Sequence, residues 1–188
     1  GSVMNTATGQ ITATGNAAVL SQGAALMLTN QGSLNGTTGI AILATGAFNN
    51  VIDLQAGSTT TGSVTTDTGV DTLAVAGMVT GAIGLGAGND SFKLVTGSGG
   101  VSGAIDGGTG TDSFVSTGTG STTLAGNLTG FESLAQNGTG TLAIIGTNTG
   151  FTTVAVNAGT LNVSGGAAMD DTAAVTVASG ATLGILTN

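Results

Sequence analysis

Three aspartates, each closing a gapless repeat, are the residues of this chain best placed to do chemistry. Gly62-Ser63-Val64 leads to Asp71, Gly81-Ala82-Ile83 to Asp90 and Gly103-Ala104-Ile105 to Asp112, each nine positions after its first glycine. The third lies in Gly107-Gly108-Thr109-Gly110-Thr111-Asp112-Ser113-Phe114-Val115, which fits the calcium nonapeptide G-G-x-G-x-D-x-U-x. In that pattern turn carbonyls and a carboxylate supply hard oxygen ligands. Asp71, Asp90 and Asp112 are therefore the candidate metal ligands. If the repeats stack in register, the three carboxylates form a column spaced about 4.8 Å per coil, and they repel unless a cation, a proton or turn amides compensate.

The plainer reading, favoured here, is that each aspartate caps its own turn through backbone amides, as Asx turns do. Calcium rolls repeat the nonapeptide twice per coil, whereas here it occurs once per coil and only one copy is complete. Leu85 replaces the first glycine of the pair in one copy, and Thr66-Asp67 replace both in another. No cofactor is expected, with calcium the one that the pattern leaves open.

Enzymatic readings lack their parts. The chain has no His, Cys or Arg and no Gly-x-Ser-x-Gly elbow, so the usual nucleophile and base pairs cannot be assembled. Asp170-Asp171, or Asp67 with Asp71, are the carboxylate pairs left to nominate. Neighbours on a strand point to opposite faces, however, and a turn separates the second pair. A non-catalytic protein is expected. Gly86-Ala87-Gly88 and Gly108-Thr109-Gly110 neither open a helix nor precede Lys-Ser/Thr, which removes the phosphate-loop reading. The Thr-rich stretches Thr59-Thr60-Thr61 and Thr65-Thr66 are too irregular for an ice-binding array.

The elements that must carry these aspartates follow from the period. A weaker copy places Asn50 at the aspartate position, so the spacings from Asn50 to Asp71, Asp90 and Asp112 are 21, 19 and 22 residues. A shortened copy runs from Gly126-Asn127-Leu128 to Glu132-Ser133-Leu134, losing three turn residues but keeping the coil. In the last third Gly140-Thr141-Leu142, Gly159-Thr160-Leu161 and Gly180-Ala181-Thr182-Leu183 start about twenty residues apart, and Val154-Ala155-Val156 recurs as Val175-Thr176-Val177. A period near twenty marks a solenoid. The expected fold is all-β: a right-handed parallel β-helix (β-solenoid) of about nine coils of about 19–22 residues. Each coil holds two or three short strands joined by glycine turns. Leu73, Phe92, Phe114 and Leu134 should form one interior ladder, and Val64, Ile83, Ile105 and Leu128 a second.

Composition fits a narrow core of this kind. Of 188 residues 36 are Gly, none is Pro, Trp or Tyr, Ala, Thr, Val, Leu and Ile are abundant, and the apolar fraction is 40% with 3% aromatics. High hydrophobicity with little charge argues against disorder. Phe48, Phe131 and Phe151 are expected in turn packing or core, and Lys93, the only basic residue, should face outward beside the aspartates. A net charge of −8 without basic clusters excludes nucleic acid as a partner and disfavours anionic membranes. No run of about eighteen apolar residues is present, so this chain is not expected to insert into a membrane. Gly1-Ser2 reads as a cloning remnant, 3–188 as one solenoid domain cut from a larger protein, with Gly/Asp-turn coils over 41–134 and a second repeat type over 137–188.

These segments resemble the passenger domains of bacterial autotransporters of the type V secretion class. Gly86-Ala87-Gly88-Asn89-Asp90-Ser91-Phe92, Gly107 to Phe114 and Phe131-Glu132-Ser133-Leu134 look like passenger coils. Asn137 to Leu142, continued through Val156 to Leu161, resembles the passenger-associated repeat that usually lies near the translocator. The resemblance implies a right-handed β-helix displayed at the cell surface or released, and a parent carrying a C-terminal outer-membrane β-barrel. It implies adhesion to a host surface or glycan, or self-association, as the role. A structural stalk or folding-assisting segment, and a calcium-stabilised solenoid, are the alternatives.

Overall fold

A short strand whose inward side chains are small aliphatics cannot satisfy its own backbone groups, and here each one takes its partners from the next repeat. The computed structural model describes residues 1–164 and 172–186, and among these it holds strands and turns without a helix. Every strand pairing is parallel, and the coils stack into a β-solenoid of about eight turns with three faces.

The first face is a nine-stranded sheet that starts at Ser2–Asn5, Met27–Asn30 and Val51–Leu54. It continues through Thr72–Val75, Ser91–Thr96 and Ser113–Gly118 to Ser133–Gln136, Thr153–Val156 and Ala174–Val177. Its inward residues alternate with outward ones, and Leu73, Phe92, Phe114 and Leu134 are register partners and fully buried, as the repeat predicts. The ladder extends beyond them to Leu28 and Ile52 on one side and Val154 on the other. On the third face Val64, Ile83, Ile105 and Leu128 stack in the same way, joined by Ile42. Burying each such side chain stabilises by about 1.5–3 kcal/mol.

On the second face the ladder is broken. One sheet ends at Gly100–Val101, and a separate sheet starts at Ser121–Leu124 and continues through Thr141–Ile144, Thr160–Ser164 and Thr182–Leu186. The last-third repeat therefore has one more member than its spacing suggests, because Thr122 and Leu124 stand in register with Leu142 and Ile144. Across the break the Thr122 hydroxyl stitches the coils, accepting from the Gly97 amide at 3.0 Å and donating to the Gly99 carbonyl at 3.3 Å.

From Val51 onward the coils are 19–22 residues long, matching the expectation. The first two are longer. Ser2 faces Met27 and Met27 faces Val51, giving 25 and 24 residues. In the second of these the excess lies at a corner, where the register slips between Asn35 and Ile40; there the Thr38 hydroxyl reaches the Asn16 carbonyl of the coil before at 2.6 Å. Ser2, set aside as a cloning remnant, takes part in the first strand, and the Gly1 carbonyl accepts the Met27 amide at 2.8 Å.

The aromatics lie where packing requires them. Phe92, Phe114 and Phe131 form a buried cluster with ring centroids 5.1–6.4 Å apart. Phe151 is buried and Phe48 is half-buried. Lys93 faces outward and is exposed.

Candidate functional site

Asp71, Asp90 and Asp112 come together as a column on the inner side of the corner leading into the first face, each essentially sealed from solvent. Two residues before each aspartate stands a glycine, and these glycines are stacked backbone on backbone. A Cβ added to Gly88 would lie 1.6 Å from the Gly69 carbonyl oxygen, and one added to Gly110 would lie 1.6 Å from that of Gly88. Gly110 also has φ +142°, a region other residues rarely occupy. The G-x-D pattern thus packs successive turns at the closest spacing the backbone permits.

Each aspartate uses that closeness to cap a turn in the coil before its own. Asp71 Oδ1 accepts the Asn50 amide at 2.6 Å, Asp90 Oδ1 the Asp71 amide at 2.7 Å and Asp112 Oδ1 the Asp90 amide at 2.6 Å. The plainer sequence reading was therefore right that amides compensate the carboxylates and wrong about which amides. The bond runs between coils because stacking places each carboxylate directly beside the turn amide of its predecessor. The column's carbonyls also serve the stack: those of Asp71 and Asp90 accept the amides of Ser91 and Ser113, both at 2.9 Å.

Two further residues complete the column. Asn50, at the aspartate position of the weak copy, donates through Nδ2 to Asp71 Oδ1 at 2.8 Å, and its own Oδ1 accepts the Leu26 amide at 2.8 Å. At the other end Glu132 Oε2 accepts the Asp112 amide at 2.6 Å. Sequence reading assigned Glu132 no role, although it precedes Ser133-Leu134 as Asp112 precedes Ser113-Phe114 and lies twenty residues on. A second, exposed set of caps runs the opposite way, with Asn49 Oδ1 accepting the Val70 amide at 2.8 Å and Asn89 Oδ1 the Thr111 amide at 2.9 Å. The local Asx turn expected of the column is found instead at Asp106, whose Oδ1 accepts the Gly108 amide at 3.2 Å and the Thr129 hydroxyl at 3.0 Å.

The column leaves one oxygen per aspartate over. Oδ2 of Asp71, Asp90 and Asp112 is buried with no hydrogen-bond partner. An unpaired buried carboxylate oxygen favours the protonated form. Burial accordingly pushes Asp90 up to about 6, against the lowering effect of the Asp71 amide and with help from the charges of Asp71 and Asp112. Asp112 is also raised, first by burial and further by the charges of Glu132 and Asp106, while the Asp90 amide opposes the shift.

No family model, curated protein or solved structure matches the chain.

Geometry thus leaves the column with a definite task. Its three Oδ1 atoms are committed to amides and three Oδ2 atoms are left, whereas a calcium ion takes six to eight oxygen ligands. Among the described residues no three acidic side chains converge to hold a metal ion. Of the nominated carboxylate pairs, Asp67 is exposed and accepts the Gly46 amide at 3.1 Å while Asp71 is sealed inside, so the two do not share a cleft. Asp170 and Asp171 lie outside the described residues. A shallow groove of about 350 Å³ at the break in the second face is lined by Met78, Val101, Ser102, Ser121 and Thr123 among others. No helix among the described residues is long and apolar enough to cross a membrane.

Proposed function

We propose that this chain is a non-catalytic β-helix segment of a bacterial surface-exposed or secreted protein, acting through its long faces in adhesion, with self-association the leading form. The observation that carries this reading is the outward side of the first face. From Thr72 on, one outward column reads Thr72, Ser91, Ser113, Ser133, Thr153 and the next Ala74, Lys93, Val115, Ala135, Ala155. Asp53 and Lys93 are the only charges on the described strands of this face. A flat array of short side chains with almost no charge can meet a copy of itself, or a glycan surface, at low desolvation cost.

The resemblance to autotransporter passengers supports display at the cell surface and a parent that carries an outer-membrane barrel. A structural stalk is the second reading, favoured by the short turns that join the coils without a long inserted loop. Beads coated with the chain separate the two. Adhesion predicts clumping of the beads, or their retention on a glycan surface, and loss of either on Ala135→Lys with Ala155→Lys, while circular dichroism and melting stay unchanged. Beads that neither clump nor adhere leave the stalk.

A further inference from the structure

The outward side of the first face is lopsided about the strand Thr72–Val75, and we infer that this fits it to a second copy in one register: face to face, solenoid axes opposed, with that strand of each copy over that of the other. The inference rests on self-association through this face, the reading proposed above. The two strands before Thr72–Val75 present Met27, Thr29, Val51 and Asp53 outward, and the two strands after it present Ser91, Lys93, Ser113 and Val115. Met27 and Val51 are 60% and 46% exposed. The most exposed apolar side chains and the acid thus lie on one side of the central strand, and two serines and the base on the other.

A two-fold axis that runs along the central strand, between the two sheets, lays each residue against the one equally far away on the other side. Asp53 and Lys93 are one strand from Ala74 in either direction, in the same outward column. The axis therefore brings Lys93 of each copy over Asp53 of the other, while Val51 meets Ser91 and Met27 meets Ser113. Such a contact is self-complementary, so each pair occurs twice. Sheets packed face to face lie about 10 Å apart, a gap that an opposed lysine and aspartate span together. Within one molecule Ala74 stands between the two charges, Asp53 Oδ2 accepts the Gln55 side-chain amide at 3.0 Å and Lys93 is exposed.

Charge selects this register over its neighbours. Lys93 is the one basic residue in a chain of net charge −8, so contact elsewhere brings no unlike side-chain charges together. With the axes pointing the same way, Lys93 comes level with Lys93 and Asp53 with Asp53. A slide of one strand in either direction leaves both charges against the uncharged Ala74, Thr29 or Val115.

Exchanging the charges tests this. Lys93→Asp and Asp53→Lys each set like charges against each other twice, whereas a mixed dimer of the two variants regains both ion pairs. In sedimentation velocity at low salt the unmodified chain should form a dimer, and added salt should weaken it. Each variant alone should dimerise at least about tenfold more weakly, with an unchanged circular dichroism spectrum, and an equimolar mixture should return to the unmodified affinity. Variants that dimerise as readily as the unmodified chain, or a mixture no tighter than its components, overturn this register while self-association through the face survives. A chain that stays monomeric at every concentration overturns both. If Asp53→Lys fails to fold, Asp53→Asn replaces it, and its mixture with Lys93→Asp should still associate more tightly than Lys93→Asp alone.

Discussion

In the coils from Asn50 to Glu132 the corner before the first face is closed by a side-chain oxygen, buried from Asn50 to Asp112 and half-buried at Glu132, that caps the coil before; one coil later the same corner is held by Thr152, whose amide and hydroxyl reach the Glu132 carbonyl at 2.9 and 3.1 Å from an exposed position. The middle coils have the longer turns. Nine residues lead from Gly103 to Asp112, but six from Gly126 to Glu132. Longer turns bring inward-facing amides that backbone pairing does not reach, and a buried amide without an acceptor costs about 1–3 kcal/mol. An aspartate supplies the acceptor at the cost of burying a charge. Once the turn shortens, the amide and the need for a carboxylate go together, and beside Thr152 the corner is filled by the buried Phe151.

The largest expected break in this comparison is Gly110→Ala. Both the 1.6 Å approach of its Cβ to the Gly88 carbonyl and the φ of +142° oppose it, so two middle coils must part. A loss of about 3–5 kcal/mol by urea unfolding is expected from strain and overpacking together. Gly180→Ala, with open space around it in the last coil, should cost clearly less. Next comes Asp90→Ala, which strands the Asp71 amide and should cost about 1–3 kcal/mol. Thr152→Ala, at the equivalent corner of the last third, should stay within about 0.5 kcal/mol as surface changes do.

A smaller effect separates the two regions by pH. An aspartate in the unfolded chain titrates near 3.8, whereas Asp90 holds its proton up to about 6 in the fold. Between those values the folded state binds more protons than the unfolded one. The contribution of this group is therefore fully present below about 3.8 and lost as pH rises through about 6. Asp112, raised in the same direction, adds to the trend. The melting temperature should fall as pH rises from about 4 to 7 and level above, and Asp90→Asn should flatten much of that slope. The smallest effect expected is that of calcium. Melting with excess chelator should coincide with melting in calcium, and a rise in midpoint beyond that given by magnesium would restore the metal reading of Asp71, Asp90 and Asp112.

Much of the fold was legible because repetition writes each ladder several times. Phe92 above Phe114 is visible once Asp90 and Asp112 are aligned, and the same alignment carries Ile83 onto Ile105. The first coil and the opening of the second were not legible, since the corner excess around Asn35 and Ile40 breaks the period that reveals the others, and only the weaker copy from 41 to Asn50 was read there. The site was half legible. Residue type and spacing found the three aspartates and the need for amides, but a linear sequence shows turn amides only in their own coil. The partner one coil away, and the part of Glu132, emerge once backbone-to-backbone glycine contact fixes the stacking distance.

The central claim is that the column is an amide clamp between coils, and the Asp71 amide proton reports on it most directly. Followed by NMR across about pH 4 to 8, its chemical shift should titrate with a midpoint near the value of about 6 held by Asp90, as the carboxylate that accepts it gains a proton. The titration should vanish in Asp90→Asn. An Asp71 amide that ignores pH over this range, or that shifts on addition of calcium at constant pH, would contradict the clamp.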